Sequence, residues 1–258
     1  MKTTMSISLA GFACILFALT CQGAGRGASS PDTSWARSEG LPRLSIEAAF
    51  EKEERDLRFE GVPESVVFKM RDAYVLAGLD LAPFLTIQGG GGGTEVEPGA
   101  DAGGYGDSDS LWTVGATLNV WETPVETPPY LAHVLRLQAT YSYWDYEAEV
   151  WGYDMSWNET RAAVLFSAEF FRDDPEPVYA APVSAVLSFG PVYSALDGDL
   201  NVPAEFFPGS GGVLDFEEDE DIGFLVGFDI NLAPNLSLGY EARIFDETAH
   251  TIRGAFHF

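Results

Sequence analysis

Apolar and polar residues alternate with a period of two along most of the chain. The clearest run is 222–232. Ile222, Phe224, Val226, Phe228, Ile230 and Leu232 share one parity, and Gly223, Leu225, Gly227, Asp229 and Asn231 the other. Successive side chains of a strand point to opposite faces, whereas a helix brings its apolar residues round every 3.6 positions. After Ala233-Pro234-Asn235 the pattern resumes with Leu236, Leu238, Tyr240, Ala242 and Ile244, interleaved with Ser237, Gly239, Glu241 and Arg243. Similar runs begin at Leu44, Ala73, Leu85, Trp112, Leu135, Ala162, Val183 and Ile252. The pattern therefore predicts ten strands. Each has room for the ~9–11 residues with which a tilted strand crosses a bilayer.

The links between these runs alternate in length. Residues 52–66, 89–109, 147–157 and 194–220 read as long loops, and the run of five glycines at 89–93 reads as flexible. Ala82-Pro83-Phe84, 172–177 and the Leu-Ala-Pro-Asn segment ending at 235 read as short turns. Residues 122–130 are intermediate, and 246–249 form a small loop. A weak internal echo relates GLDLAPFLTIQG to GFDINLAPNLSLGY. In both, a strand ends at Leu-Ala-Pro, where proline suits a turn and not a ladder interior.

Composition narrows what such a sheet is for. The 258 residues carry 40 acidic and 14 basic side chains, a formal charge of −26. That excess argues against nucleic-acid binding, which needs a basic footprint. With 46 % apolar and 13 % aromatic residues it is also unlike a disordered acidic chain. Lys2, an apolar run from Ile7 to Leu19 and the small and polar residues Thr20 to Gly25 form the layout of a secretory signal peptide. Residues 1–23 are assigned to it, 24–42 to a flexible leader and 43–258 to one β domain. Cleavage after Gly23 removes both cysteines, Cys14 and Cys21; lipidation of Cys21 is the alternative, against a poor lipobox match.

Beyond the leader the chain resembles the small outer-membrane β-barrel proteins of Gram-negative bacteria. The resemblance spans roughly 43–258 and rests on the signal peptide, the loop alternation and the tail. Ile252, Phe256 and the terminal Phe258 fall at alternate positions. In that family an aromatic terminus on an alternating strand is the insertion signal read by the barrel-assembly machinery. The resemblance implies an all-β, antiparallel, up-and-down transmembrane barrel in the outer membrane, with ten strands (eight or twelve being the neighbouring even counts). Both chain ends then lie on the periplasmic side. Outer-membrane lipid and lipopolysaccharide are the expected partners. The competing reading is a soluble secreted barrel or sandwich that binds a ligand. The polar stripe, rich in Gly, Ser and Thr, and the aromatics along the apolar stripe (Trp112, Trp121, Tyr130, Tyr141, Tyr143, Trp151, Tyr240, Phe256, Phe258) weigh against it. Lys69 and Arg71 fall on the apolar parity and are taken to lie outside the hydrocarbon zone.

Inward positions carry Glu47, Asp80, Glu169, Asp229 and Glu241 against Arg136, Arg161, Arg243 and Arg253. Ten strands leave little bore, since wide aqueous channels belong to barrels of ~16–18 strands. These charges are expected to pair as an ion network that fills the lumen, with a structural or surface-interaction role; a narrow porin-like channel is the alternative. The acidic run Asp215, Glu217, Glu218, Asp219, Glu220, Asp221 is expected in the longest outer loop, solvated, with divalent-cation binding as its sharper reading. Asp197, Asp199 and Asn201 open like a calcium loop, but Val202 and Pro208 break the motif. His133, His250 and His257 have no serine evidently placed against them, so no catalytic residues, no enzyme activity and no cofactor are expected.

Overall fold

The computed structural model describes residues 44–62, 64–82, 84–98, 108–125, 131–172, 184–203, 212–218, 222–233, 235–244 and 248–258. The predicted signal peptide, the leader and Asp219, Glu220 and Asp221 lie outside the described residues. Eleven β segments follow in order: β1 (Leu44–Phe59), β2 (Val66–Ala82), β3 (Leu85–Pro98), β4 (Asp109–Val125), β5 (Leu131–Val150), β6 (Tyr153–Arg172), β7 (Ser184–Asn201), β8 (Val213–Glu218), β9 (Ile222–Ala233), β10 (Leu236–Ile244) and β11 (Thr248–His257). All pairings are antiparallel, and β1 against β11 closes the sheet into a barrel.

β8 and β9 are two halves of one descending strand. Both pair with β7, β8 opposite Asp197–Asn201 and β9 opposite Ser184–Tyr193. Counting them as one gives the ten strands that the alternation predicts. Their other edges part company. β9 pairs with β10 as far as Phe224 opposite Ile244, whereas β8 pairs with β1, Leu57 opposite Glu218 and Phe59 opposite Phe216. The β10–β11 hairpin is short, and above it β8 closes the wall directly against β1. The barrel thus has ten strands at the end where Phe258 donates to the Leu44 carbonyl, here the terminal end, and eight at the distal end.

Several expected loops are strand. β5 and β6 each run 20 residues and meet at Trp151-Gly152, both at positive φ (57° and 80°), so the expected aromatic loop 147–157 is a tight hairpin. Two left-handed residues in sequence match the twist of the flanking strands. The expected charged link 52–66 is strand as far as Phe59, and much of 194–220 belongs to β7 and β8. The glycines at 89–93 are not a flexible loop but the middle of β3, paired from Ala77↔Gly89 to Ala73↔Gly93. A Cβ at Gly90 would run into the Val75 carbonyl, and one at Gly92 into the Ala73 carbonyl. At these two positions β3 passes too close to β2 to carry inward side chains. A register shift between Asn119 and Trp121 is a β-bulge that turns Glu122 inward, out of its expected place in a link.

Outward-facing residues change character at one height. On β1, Leu44, Ile46, Ala48 and Phe50 give way to Lys52, Glu54, Asp56 and Arg58. On β5, Leu135, Leu137, Ala139, Tyr141 and Tyr143 give way to Asp145, Glu147 and Glu149. The Phe50↔Ala73 and Phe50↔Ile252 rungs mark the boundary, and Lys69 and Arg71 sit above it. β9, β10 and β11 stop near this height, and their outer faces are apolar almost throughout. Nine residues of β10 at ~3.3 Å each, tilted by ~40°, rise about 23 Å, close to the ~25 Å apolar band of a membrane barrel. An apolar exterior around a largely polar interior is the arrangement of a membrane barrel. The 20 residues of β5 and β6 reach about twice that height, so the distal half stands clear of the belt.

Candidate functional site in the lumen

Inward side chains form three layers. Nearest the terminal end, Arg136 donates from Nε to Glu122 Oε2 at 2.9 Å and from Nη2 to Glu169. Ser184 donates to Glu169 Oε1 at 2.8 Å, Gln138 to Asn119 at 2.7 Å and Ser167 to Gln138 at 3.0 Å. Across the lumen, Arg253 grips both Asp229 oxygens at 2.9 Å and Glu241 at 3.1 Å. Asp80 is half-buried and accepts from Thr86 at 2.6 Å. Glu47 also faces inward, but it makes no hydrogen bond or ion pair with the described residues.

The middle layer is a denser charge cluster. Arg55 donates to Glu53 (2.8 Å), Glu159 (2.5 Å) and Glu218 (2.9 Å). Arg161 pairs with Glu159 and lies 3.2 Å from Glu51, and Arg243 pairs with Glu51. Thr251 donates to Glu51 at 2.9 Å and Ser194 to Glu159 at 2.8 Å, while the Arg161 guanidinium sits 4.9 Å from the Trp144 ring centre. Buried guanidinium and carboxylate groups need this degree of saturation, because an isolated buried charge is costly.

Above it the lumen turns apolar. Leu57, Phe59, Phe68, Met70, Val96, Trp157, Leu200, Leu214 and Phe216 belong to one buried cluster. Phe216 lies 5.3 Å and Phe68 5.8 Å from Phe59, and Tyr146 stacks on Trp157 at 4.7 Å. Here the wall is charged outside and apolar inside, the reverse of the membrane level. This core fills the eight-stranded end of the barrel.

The nine expected lumen residues are thus distributed, not joined in one network. Arg136 and Glu169 are in the first layer, Asp229, Glu241 and Arg253 across from them, Arg161 and Arg243 in the middle, and Asp80 and Glu47 apart. Sequence reasoning missed Glu51, Glu53, Arg55, Asp72, Glu122 and Glu159 as lumen residues and placed Glu218 in an outer loop. Extending the parity of Glu47 through Glu51, Glu53 and Arg55 identifies three of them; Glu122 is hidden by its bulge.

The acidic run expected in a loop is, as far as Glu218, on β8. Asp215 and Glu217 face outward and Glu218 inward. Glu218 is pushed up to about 7, by burial first, with Glu159 and Glu53 adding to the rise and Arg55 opposing it. One guanidinium shared among three carboxylates does not hold all three anionic equally well. Among the described residues no group of three or more His, Cys, Asp or Glu is arranged to hold a metal ion. Asp197, Asp199 and Asn201 point outward along β7. Ile252, Phe256 and Phe258 face outward on the terminal strand, with the two phenylalanine rings 4.9 Å apart. His250, also outward, shares a 2.7 Å hydrogen bond with the Tyr240 hydroxyl.

No protein-family model and no curated protein matches the chain. Among solved structures it is similar to an outer-membrane channel of Pseudomonas putida F1, at 13 % identity over 88 % of this chain and 100 % of that one, with a TM-score of 0.38. It is similar to the outer-membrane protease OmpT of Escherichia coli, at 11 % identity over 85 % and 98 %, TM-score 0.36. A third is Ail, the attachment invasion locus protein of Yersinia pestis, at 11 % identity over 85 % and 100 %, TM-score 0.23.

Proposed function

We propose that the protein is an outer-membrane barrel that does not conduct and that holds a rigid acidic wall above the membrane, in a structural or surface-interaction role. The observation that carries this reading is the apolar core inside the distal half, from Leu57 and Phe59 to Phe216. A packed core admits neither water nor ions. Below it the lumen is crossed again by the paired arginines and carboxylates.

The outer wall supports the second half of the proposal. Asp197 lies opposite Glu217 and Asp199 opposite Asp215, all facing out. Like charges directly across a ladder destabilise a sheet, so folding alone does not account for them. Such a wall suits cationic partners, or divalent ions held against lipopolysaccharide phosphates. In this reading the terminal strand with Ile252, Phe256 and Phe258 serves the barrel-assembly machinery, and no catalytic step is assigned.

Planar-bilayer recording of the purified barrel tests the proposal. No steady conductance is expected; a large, stable open state overturns it in favour of a channel. Incubation with labelled phospholipid or lipid A tests the absence of catalysis. Turnover that is lost in His250→Ala would make the protein an enzyme.

A further inference from the structure

Beneath the middle charge layer, at the level of the apolar belt, lies a luminal cavity of about 140 Å³. Its walls differ. On one side Ala163, Leu165, Val192 and Leu225 form a separate small apolar cluster. Glu47, Glu241 and Arg253 stand on β1, β10 and β11, while Arg161 and Arg243 border the apolar cluster itself, Arg161 two residues before Ala163 on β6 and Arg243 opposite Leu225 on β10. The Tyr74 and Trp144 rings, 5.1 Å apart, also line it.

The three arginines that line the cavity are already engaged. Arg253 holds Asp229 and Glu241, Arg243 holds Glu51, and Arg161 holds Glu159 and Glu51. Around the cavity and the layer above it, eight carboxylates (Glu47, Glu51, Glu53, Asp72, Glu159, Glu218, Asp229, Glu241) stand among four guanidinium groups (Arg55, Arg161, Arg243, Arg253). Acidic groups outnumber basic ones, and Glu47, whose opposite-charge neighbour Arg253 is shared with Asp229 and Glu241, makes no ion pair within 4.0 Å among the described residues. A cavity of about 150 Å³ lined by aliphatic side chains is known to hold a six-carbon ring.

We propose that this cavity binds a small primary ammonium compound with an apolar body of about six carbons. The ammonium sits against Glu47, and the body lies on Leu165, Val192 and Leu225. The aromatic faces of Tyr74 and Trp144 favour a cation over an anion in the same space. The proposal is independent of whether the barrel conducts, since it concerns occupancy and not passage.

Calorimetric titration of the purified full chain in detergent tests it with three isosteres: cyclohexylamine, cyclohexanol and cyclohexanecarboxylate. Saturable binding of the amine is expected, at least tenfold tighter than the carboxylate. Glu47→Gln, which keeps the side chain's size, should weaken the amine about tenfold and leave the alcohol unchanged. Ala163→Leu, which fills the cavity from the apolar side, should weaken both amine and alcohol. Heat-modifiable gel mobility shows that each variant is folded. Absence of saturable binding by the amine, equal binding of the carboxylate, or an unaltered amine affinity in folded Glu47→Gln overturns the proposal.

Discussion

The membrane-level half of this barrel and its distal half are built on the same strands with opposite polarity. At membrane level the outward positions of β1 are Leu44, Ile46, Ala48 and Phe50, and the inward ones include Glu47 and Glu51. A few residues further the outward positions are Lys52, Glu54, Asp56 and Arg58, and the inward ones Leu57 and Phe59. The backbone is continuous and the parity is kept. What changes is the solvent outside. Lipid demands an apolar exterior and leaves the lumen to polar residues that must satisfy one another. Water permits a charged exterior and lets the lumen bury apolar surface as a soluble barrel does. The arginine–carboxylate layer sits where the two regimes meet.

The largest expected effect comes from breaking the polar interior. Arg136→Met leaves Glu122 and Glu169 buried without their cation, and should cost ~3–5 kcal/mol, read as a lowered midpoint in urea titration of the folded, heat-modifiable form. In the distal half the corresponding break is a void. Leu57→Ala should cost about 3 kcal/mol. Hydrogen exchange should rise mainly in the distal parts of β1, β2 and β8, with the membrane level largely protected.

Exchanging the exteriors sharpens the contrast. Ala77→Lys puts a charge on the lipid face well below the upper edge of the belt and should cost ~2–4 kcal/mol. Lys69→Val, on the same strand and parity but above the belt, should change stability by less than ~0.5 kcal/mol. Equal effects at the two sites would mean that the belt does not end at the Phe50↔Ala73 rung.

The smallest effect is a pH dependence at the charge layer where the two halves meet. Folded Glu218 titrates near 7, above its ordinary 4.5. Between these values the folded state holds a proton that the unfolded state has lost, so stability falls as pH rises from 4.5 to 7. Glu218→Gln should reduce that slope in chemical denaturation across this window. An unchanged slope would place the titration elsewhere.

Much of the membrane-level half is legible in the sequence, because lipid imposes a parity that survives without any knowledge of neighbours. Ile222 to Leu232 and Leu236 to Ile244 announce strands by themselves. The distal half is obscure for a related reason. There the apolar parity moves to the other face, and a run such as Lys52 to Phe59 reads as a charged link. The glycines at 89–93 mislead because flexibility and close packing call for the same residue. Only the register against β2 shows which applies. Glu122 and Glu218 are lumen residues for reasons no local pattern carries: a bulge shifts one, and the partition of a descending strand between β10 and β1 places the other.

By itself, then, the sequence determined the strand period and the ten strands, since these follow from alternation along each segment, and its resemblance to outer-membrane barrels implied the barrel and the face that meets lipid. The tertiary structure decided which charges meet, that the lumen is filled above by an apolar core and that the ring narrows from ten strands to eight. Those depend on register and closure. Residues from distant parts of the chain, such as Arg55 with Glu159 and Arg243 with Glu51, come together only when the barrel is shut.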